Sequence, residues 1–204
     1  MVFLFSYRRE TWIHHFSGYV KMIQLVFAHA RNEFGSHDGM PWPRITQDFK
    51  NFKARTIGTT LVMGAKTFQS LRAPLPDRKH IVVSDNTRPL PKCKNGSLAD
   101  YYVSPDNLEE ELELWKNSEQ HYSVIGGVAL LKQAIPYASR IIHTDISYDR
   151  MQGTEVTQTL DEEFINDIWY YGEQVERHWY RIDETTSITE NVLINNELKP
   201  WILN

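Results

Sequence analysis

The sequence predicts an α/β fold: a single domain with a central eight-stranded, mostly parallel sheet, flanked by four or five helices and closed by a C-terminal antiparallel hairpin. Three observations carry this. Short apolar runs alternate with helical patterns along the chain, as βαβ units require, and no internal repeat appears. The last two apolar runs are long and adjacent, joined only by a turn at Asp183-Glu184. A length of 204 residues, 41% hydrophobic and 24% charged, suits one globular domain with its own core.

In chain order, Ile23-Gln24-Leu25-Val26-Phe27-Ala28 reads as a buried strand, and further strands are expected near 59–63, 80–84, 100–103, 121–125 and 140–147. The runs 174–182 and 185–194 form the hairpin. Helical patterns occupy 46–56, 65–71, 105–117, 127–135 and 161–170, with Thr46 expected as the cap of the first. Within 105–117, Leu108, Leu112 and Trp115 share a face, so the acidic run Asp106 to Glu113 forms a solvated one.

Residues 1–21 differ in character from the rest of the chain and are expected to be an extension of doubtful order, with Met22 a candidate true start; 22–194 form the domain and 195–204 a C-terminal extension. The run Val2 to Phe5 is too short for a membrane span or a signal segment, and Arg8-Arg9 comes after it instead of before it. No membrane association is expected, and the expected location is cytoplasmic. One cysteine, Cys93, excludes an internal disulfide and a cysteine-rich zinc site. The histidines show no H-x-x-x-H pair, so no metal site is expected. A net charge of −4 without a basic stripe argues against nucleic-acid binding. Cys93, between Lys92 and Lys94, reads as an ordinary loop cysteine. Trp169, Tyr170, Tyr171, Trp179 and Tyr180 read as core and hairpin packing.

Two strand-to-helix junctions contain glycine. Leu61-Val62-Met63 runs into Gly64-Ala65-Lys66-Thr67, and Ser123-Val124-Ile125 runs into Gly126-Gly127-Val128-Ala129-Leu130. Backbone N–H groups at such helix starts can meet phosphate, and two of them suit a dinucleotide. Neither is the G-x-G-x-x-G fingerprint or a P-loop; each alone reads more readily as turn chemistry, and only the two together bring phosphate binding level with it. A glycine-bounded loop, Gly35 to Gly39, leads into Met40-Pro41-Trp42-Pro43 and then a helix that carries Asp48 in its first turn with Phe52 four residues on. A carboxylate beside aromatic residues on one helix face can be a pocket acid; it can equally complement the helix dipole from a solvated position.

The segments Gly39-Met40-Pro41-Trp42 with Asp48, Asn51-Phe52-Lys53-Ala54-Arg55-Thr56, Val62 to Leu71, Pro74 to Ser84, Val124-Ile125-Gly126-Gly127 and His178-Trp179-Tyr180 occur in one order. Through them the chain from about 22 to 194 resembles dihydrofolate reductases, the bacteriophage-encoded type in particular, with about 86 to 120 matching least. The resemblance implies reduction of 7,8-dihydrofolate to 5,6,7,8-tetrahydrofolate by hydride transfer from NADPH, in support of one-carbon metabolism and thymidylate synthesis. It also implies antifolate inhibitors, a monomer or homodimer, and the host cytoplasm if the chain is phage-encoded.

By the same resemblance, Asp48 matches the family's pocket acid and Thr144 the threonine that hydrogen-bonds to it. Val26, Ala28, Phe49, Phe52, Leu71 and Leu75 match the apolar walls, and Arg78 the arginine that clamps the glutamate α-carboxylate. Met40 and Trp42 belong to the loop that closes over the nicotinamide. Cofactor positions fall on Ala28, Phe34, Gly35, Gly39, Gly64, Lys66, Thr67, Ser84, Gly126, Gly127, Val128, Ala129 and Leu130. Burial among Phe49 and Phe52 is expected to raise the Asp48 pKa. Three residues depart from the family pattern: Ala65 and Ala129 stand where arginines often hold the adenosine phosphates, and the acidic Asp85 comes directly after Ser84. A pyrimidine reductase of the riboflavin pathway lacks the Met40 to Asp48 arrangement, and a noncatalytic binding protein would not need Asp48, Arg78 and Thr144 together.

Overall fold

The structure, a computed structural model, describes residues 22–37, 39–85 and 89–195. The expected extension at 1–21 and the chain beyond 195 lie outside the described residues. The strands of the main sheet are β1 (Ile23–His29), β3 (Thr60–Gly64), β4 (Lys79–Val83), β5 (Tyr101–Val103), β6 (Tyr122–Val124), β7 (Arg140–Ser147), β9 (Gly172–Arg181) and β10 (Ser187–Asn195). They lie in the order β5-β4-β3-β6-β1-β7-β10-β9. All pairs from β5 to β7 are parallel, and β10 and β9 add antiparallel at the end. A second, two-stranded unit of β2 (Glu33–Gly35) and β8 (Gln158–Thr159) was not expected from the sequence, because neither Glu33-Phe34-Gly35 nor Gln158-Thr159 forms an apolar run.

The helices are α1 (Thr46–Thr56), α2 (Ala65–Ser70), α3 (Leu108–Lys116), α4 (Val128–Ala134) and α5 (Glu162–Tyr171). Two corrections concern helix starts. Ile45, in extended conformation, stands at the cap of α1 and Thr46 is already helical. The segment 105–117 opens as a single 3-10 turn, Pro105–Asn107, capped by the Ser104 hydroxyl, before α3 begins.

Alternation along β1 sorts the core into two layers, because successive side chains of a strand leave on opposite faces. Leu25 and Phe27 join Ile141 and Leu193 beneath Leu130 and Leu131 of α4 and Phe164 and Ile168 of α5. Val26 joins Ile142 and Val192 on the other face, where Phe52 of α1 packs. Leu61, Met63 and Val82 meet Phe68 of α2, and Cys93 is buried with them. Burial pushes the Cys93 thiol up, so the neighbouring lysines do not activate it. In α3, Leu108, Leu112 and Trp115 are buried while Glu109, Glu110 and Glu113 face solvent, as the sequence predicts.

The late aromatics correct another expectation. Trp169, Tyr170 and Trp179 are largely exposed, and Tyr180 alone of the four described side chains packs inward. Trp179 lies on β9, an edge strand whose side chains are mostly exposed, and Trp169 and Tyr170 lie on α5 outside the stripe that Phe164 and Ile168 bury. Trp169 instead sets its ring edge against His143, 5.3 Å between centroids. His143 and His29 form a buried pair: His29 Nδ1 lies 2.8 Å from the Arg31 carbonyl and Nε2 lies 3.0 Å from His143 Nδ1. Since only a protonated Nδ1 can donate to that carbonyl, His29 Nε2 accepts and His143 Nδ1 donates. Burial, with His29 beside it, holds His143 neutral, its pKa down at about 3.

Helix α5 turns directly into β9 at Gly172, where a Cβ would meet Ile168 O and Leu193 Cδ2, both at 2.6 Å. The first of these is backbone and cannot swing away. Gly172→Ala is therefore expected to cost about 1–3 kcal/mol in urea unfolding, whereas an unchanged denaturation midpoint would show that this junction is loosely packed.

Candidate active site

Asp48 sits in the first turn of α1, where a carboxylate is favoured by the unpaired N–H groups of the helix start. It is nonetheless only 7% exposed. The sheet beneath explains the burial. β1 and β7 pair Ala28 with Thr144 and Val26 with Ile142, and β7 and β10 pair Thr144 with Glu190, so these side chains share the face toward α1. The Thr144 hydroxyl hydrogen-bonds to the Asp48 carboxyl. Burial raises the carboxyl pKa to about 6; the Thr144 hydrogen bond opposes the rise and the charge of Glu190 adds to it. Phe52, one helical turn on, packs with Val26. Phe49 contributes less cover than expected, being 37% exposed, and its ring lies 4.6 Å beneath the Arg44 guanidinium.

Residues 36–37 and 39–45 belong to the loop ahead of α1. Its turn is closed by the Ser36 N–H donating to Gly39 O at 2.8 Å, and Gly39 takes a φ of 135°, which favours glycine. Trp42 is buried with Ala30, Ile45, Ile146 and Ile188, and Met40 and Ala28 pack against that cluster. Ile146 and Ile188 lie two residues from Thr144 and Glu190, so the loop covers the same sheet face that holds Asp48. Trp42 Nε1 is buried and has no hydrogen-bond partner among the described residues.

The two glycine junctions meet. The Gly64 N–H donates to Gly126 O at 2.8 Å, and a Cβ on Gly64 would stand 3.6 Å from Gly127 N. Gly126 has a φ of 129°, and a Cβ there would press on Phe34 at 3.3 Å and Thr67 Oγ1 at 3.6 Å. Gly64 and Gly127 are the caps of α2 and α4, without side-chain capping bonds. Ser84 comes directly after β4, whose Val83 pairs with Gly64. Lys66 and Ala129 are exposed and Val128 half-buried. Leu130 departs from the expected cofactor set: its side chain belongs to the core and its N–H already donates to Gly127 O. Gly35 takes part through its backbone, its carbonyl accepting from the Thr157 N–H at 2.8 Å.

Arg78 stands apart from the glycine turns. Its NH1 donates to Thr56 Oγ1 at 2.8 Å and its Nε to Pro76 O at 3.1 Å, which ties it to the far end of α1. Burial lowers its pKa and neighbouring Asp77 partly offsets that. Leu71 and Leu75 are half-buried against the cluster of α2, β3 and β4.

The sequence profile of the family described as dihydrofolate reductase matches residues 22–187. The chain belongs to the dihydrofolate reductase family. It is 34% identical over 159 residues to the dihydrofolate reductase of Neisseria meningitidis serogroup A, covering 76% of this chain and 88% of that protein. With the Bacillus subtilis enzyme it shares 33% over 129 residues, 63% of this chain and 71% of that one. Among solved structures, a dihydrofolate reductase from Enterococcus faecalis, complexed with NADP(H) and RAB-propyl, superposes with a TM-score of 0.70 at 25% identity, over 87% of this chain and 98% of its own.

Three further residues at this site, Glu190, Arg55 and Gln158, were given no role by the sequence. Glu190 is buried on β10 and paired with Arg55 of α1, Oε2 to NH2 at 2.8 Å. Arg55 lies seven residues after Asp48, two turns along the same helix, so helical spacing could have placed it on that face, though not its partner on a distant strand. Gln158, on β8, lies against both Gly35 and Gly127.

The raised Asp48 pKa has a consequence for stability. The carboxyl holds its proton more tightly in the fold, about 6 against an ordinary 3.8, so stability falls as pH rises between these values. Asp48→Asn, always neutral, is expected to be more stable than the native chain at pH 8, by about 3 kcal/mol, with the difference closing toward pH 4. Urea denaturation at both pH values reads this directly; an Asn variant equal to or less stable than the native chain at pH 8 would show that the carboxylate is well solvated or well paired.

Proposed function

We propose that this chain reduces 7,8-dihydrofolate to 5,6,7,8-tetrahydrofolate with NADPH, with Asp48 as the acid that holds the pterin. The observation that carries the proposal is a buried carboxyl beside Thr144, on the sheet face that the Met40 to Trp42 loop covers, with burial raising its pKa to about 6. A pterin presents a 2-amino group beside a ring N–H, and one carboxylate can accept from both in parallel. Family membership supports the substrate class.

The residues present fit the nicotinamide cofactor, because the two glycine turns lie against each other and each opens a helix whose cap carries no side chain. Gly64, Gly126 and Gly127 with the starts of α2 and α4 would hold the pyrophosphate; Lys66, Thr67 and Ser84 would flank the phosphates. Ala28, Phe34, Gly35, Gly39, Val128 and Ala129 would complete the contacts. When bound, NADPH supplies the hydride for pterin C6.

The chain's own work is orientation, exclusion of water and control of one proton. Asp48 holds the pterin by its far edge and, through that contact, favours protonation at N5 from water. Val26, Ala28, Phe49, Phe52, Leu71 and Leu75 wall the rings, and Trp42 Nε1 offers a donor that a ligand or its water can take. Arg78, held by Thr56, meets the glutamate carboxylate as a rigid fork. Antifolates of pterin-like shape would compete for the same pocket. The bacteriophage type and a cytoplasmic location are proposed on the sequence resemblance.

Loss of reduced-nicotinamide absorbance that requires dihydrofolate tests the assignment. Asp48→Asn is expected to bind NADPH as the native chain does yet lose most turnover at pH 7, roughly 100-fold or more, with partial recovery at low pH. Near-native turnover in that variant at pH 7 would overturn the role given to Asp48.

A further inference from the structure

Behind Asp48 lies a charge network that the reaction chemistry does not itself require. Glu190 is 3% exposed, on β10. Register places it beside Thr144, itself beside Ala28, so a single row across three strands runs from the pocket wall through the Asp48 hydrogen-bond partner to this second acid. Arg55 grips Glu190 through Nε at 3.4 Å and NH2 at 2.8 Å. The same NH2 reaches Glu176 of β9 at 2.8 Å, and Glu176 in turn meets Arg140 of β7 at 3.6 Å and His178 at 3.3 Å. The backbone of Arg55 is fixed as well, its carbonyl accepting from Gln24 Nε2 of β1 at 2.7 Å.

We propose that Glu190, clamped by Arg55, is a positioning residue for Asp48: the pair locks α1 onto the β7–β10 face and sets the charge that faces the Asp48 carboxyl from across Thr144. An unneutralised glutamate there would be prohibitive, and a fully neutralised one would leave Asp48 to burial alone; Arg55 shared between Glu190 and Glu176 gives an intermediate field. Burial works against the Arg55 charge, but its bonds to Glu190 and Glu176 outweigh this and raise its pKa. The charged groups on this face are Arg55 from α1, Arg140 from β7, Glu176 and His178 from β9, and Glu190 itself from β10; the charge of Glu190 raises the Asp48 pKa. Replacing the pair therefore changes both the seat of α1 and the proton affinity at the substrate.

This inference rests on the dihydrofolate reading, so its test includes a measurement that needs no turnover. In the full chain with 13C-labelled aspartate, the Asp48 carboxyl is titrated by NMR for the native protein, Glu190→Gln and Glu190→Asp, with the double variant Arg55→Met, Glu190→Met as a well-packed uncharged control. Glu190→Gln and the double variant are expected to shift the Asp48 midpoint to lower pH, while Glu190→Asp keeps it near the native value. Dihydrofolate reduction by Glu190→Gln should match the native rate at pH 5 and fall several-fold below it at pH 8. An Asp48 midpoint that stays at the native value in both uncharged variants overturns the inference; retention of activity by Asp48→Asn would instead overturn the reaction assignment and leave the titration result standing.

Discussion

Keeping one carboxyl group out of water is the costly demand on this chain, and much of the molecule can be understood as meeting it. A buried acid is tolerated when it is protonated or when neighbours accept part of its charge. Asp48 has both: its pKa rises toward neutrality and the Thr144 hydroxyl donates to it. The arrangement needs β1 and β7 in parallel register, so that Ala28 and Thr144 present one face, and it needs α1 laid across that face. The loop ahead of α1 then covers the remainder with Trp42.

The second requirement is to bring anionic ligands to a chain whose net charge is −4. Residues 1–21 carry Arg8, Arg9 and Lys21 against Glu10, so the rest is more acidic than the whole. The overall field opposes folate and a phosphorylated cofactor alike. Attraction must therefore be local, and the proposed sources are the helix starts after the two glycine turns, Lys66 at the start of α2, and Arg78 fixed against Thr56. The two glycine turns touch because β3 and β6 are neighbours in the sheet, although they are distant in sequence.

Much of this was legible in the sequence, and the reasons differ by element. The eight main strands and five helices fall where apolar runs and helical patterns place them, and β7 falls on 140–147 as read; even the three-residue β5 and β6 lie within apolar stretches. The two-residue β8 could not be read, and with it went Gln158 and its contact with the second glycine turn. Asp48 could be found because local spacing and the family's motifs both mark it. Glu190 could not, because its meaning comes from β7–β10 register, which no local pattern encodes. The late aromatics mislead because aromatic content alone does not say which side of an element is covered: Trp169 and Tyr170 lie off the buried stripe of α5, and Trp179 lies on the edge strand β9. Leu130 shows the converse: a residue beside a glycine turn proposed to bind cofactor can still point into the core.

The central claim is that protonation at one buried carboxyl, Asp48, governs the reduction. The most direct test is the single-turnover rate of hydride transfer to dihydrofolate from pH 5 to 9, with deuterated and ordinary NADPH to confirm that the chemical step is observed. The rate should level off at low pH and decline above a midpoint near the Asp48 value of about 6, approaching a tenfold loss per pH unit. A rate that stays flat across that range, with the isotope effect fully expressed, would contradict it.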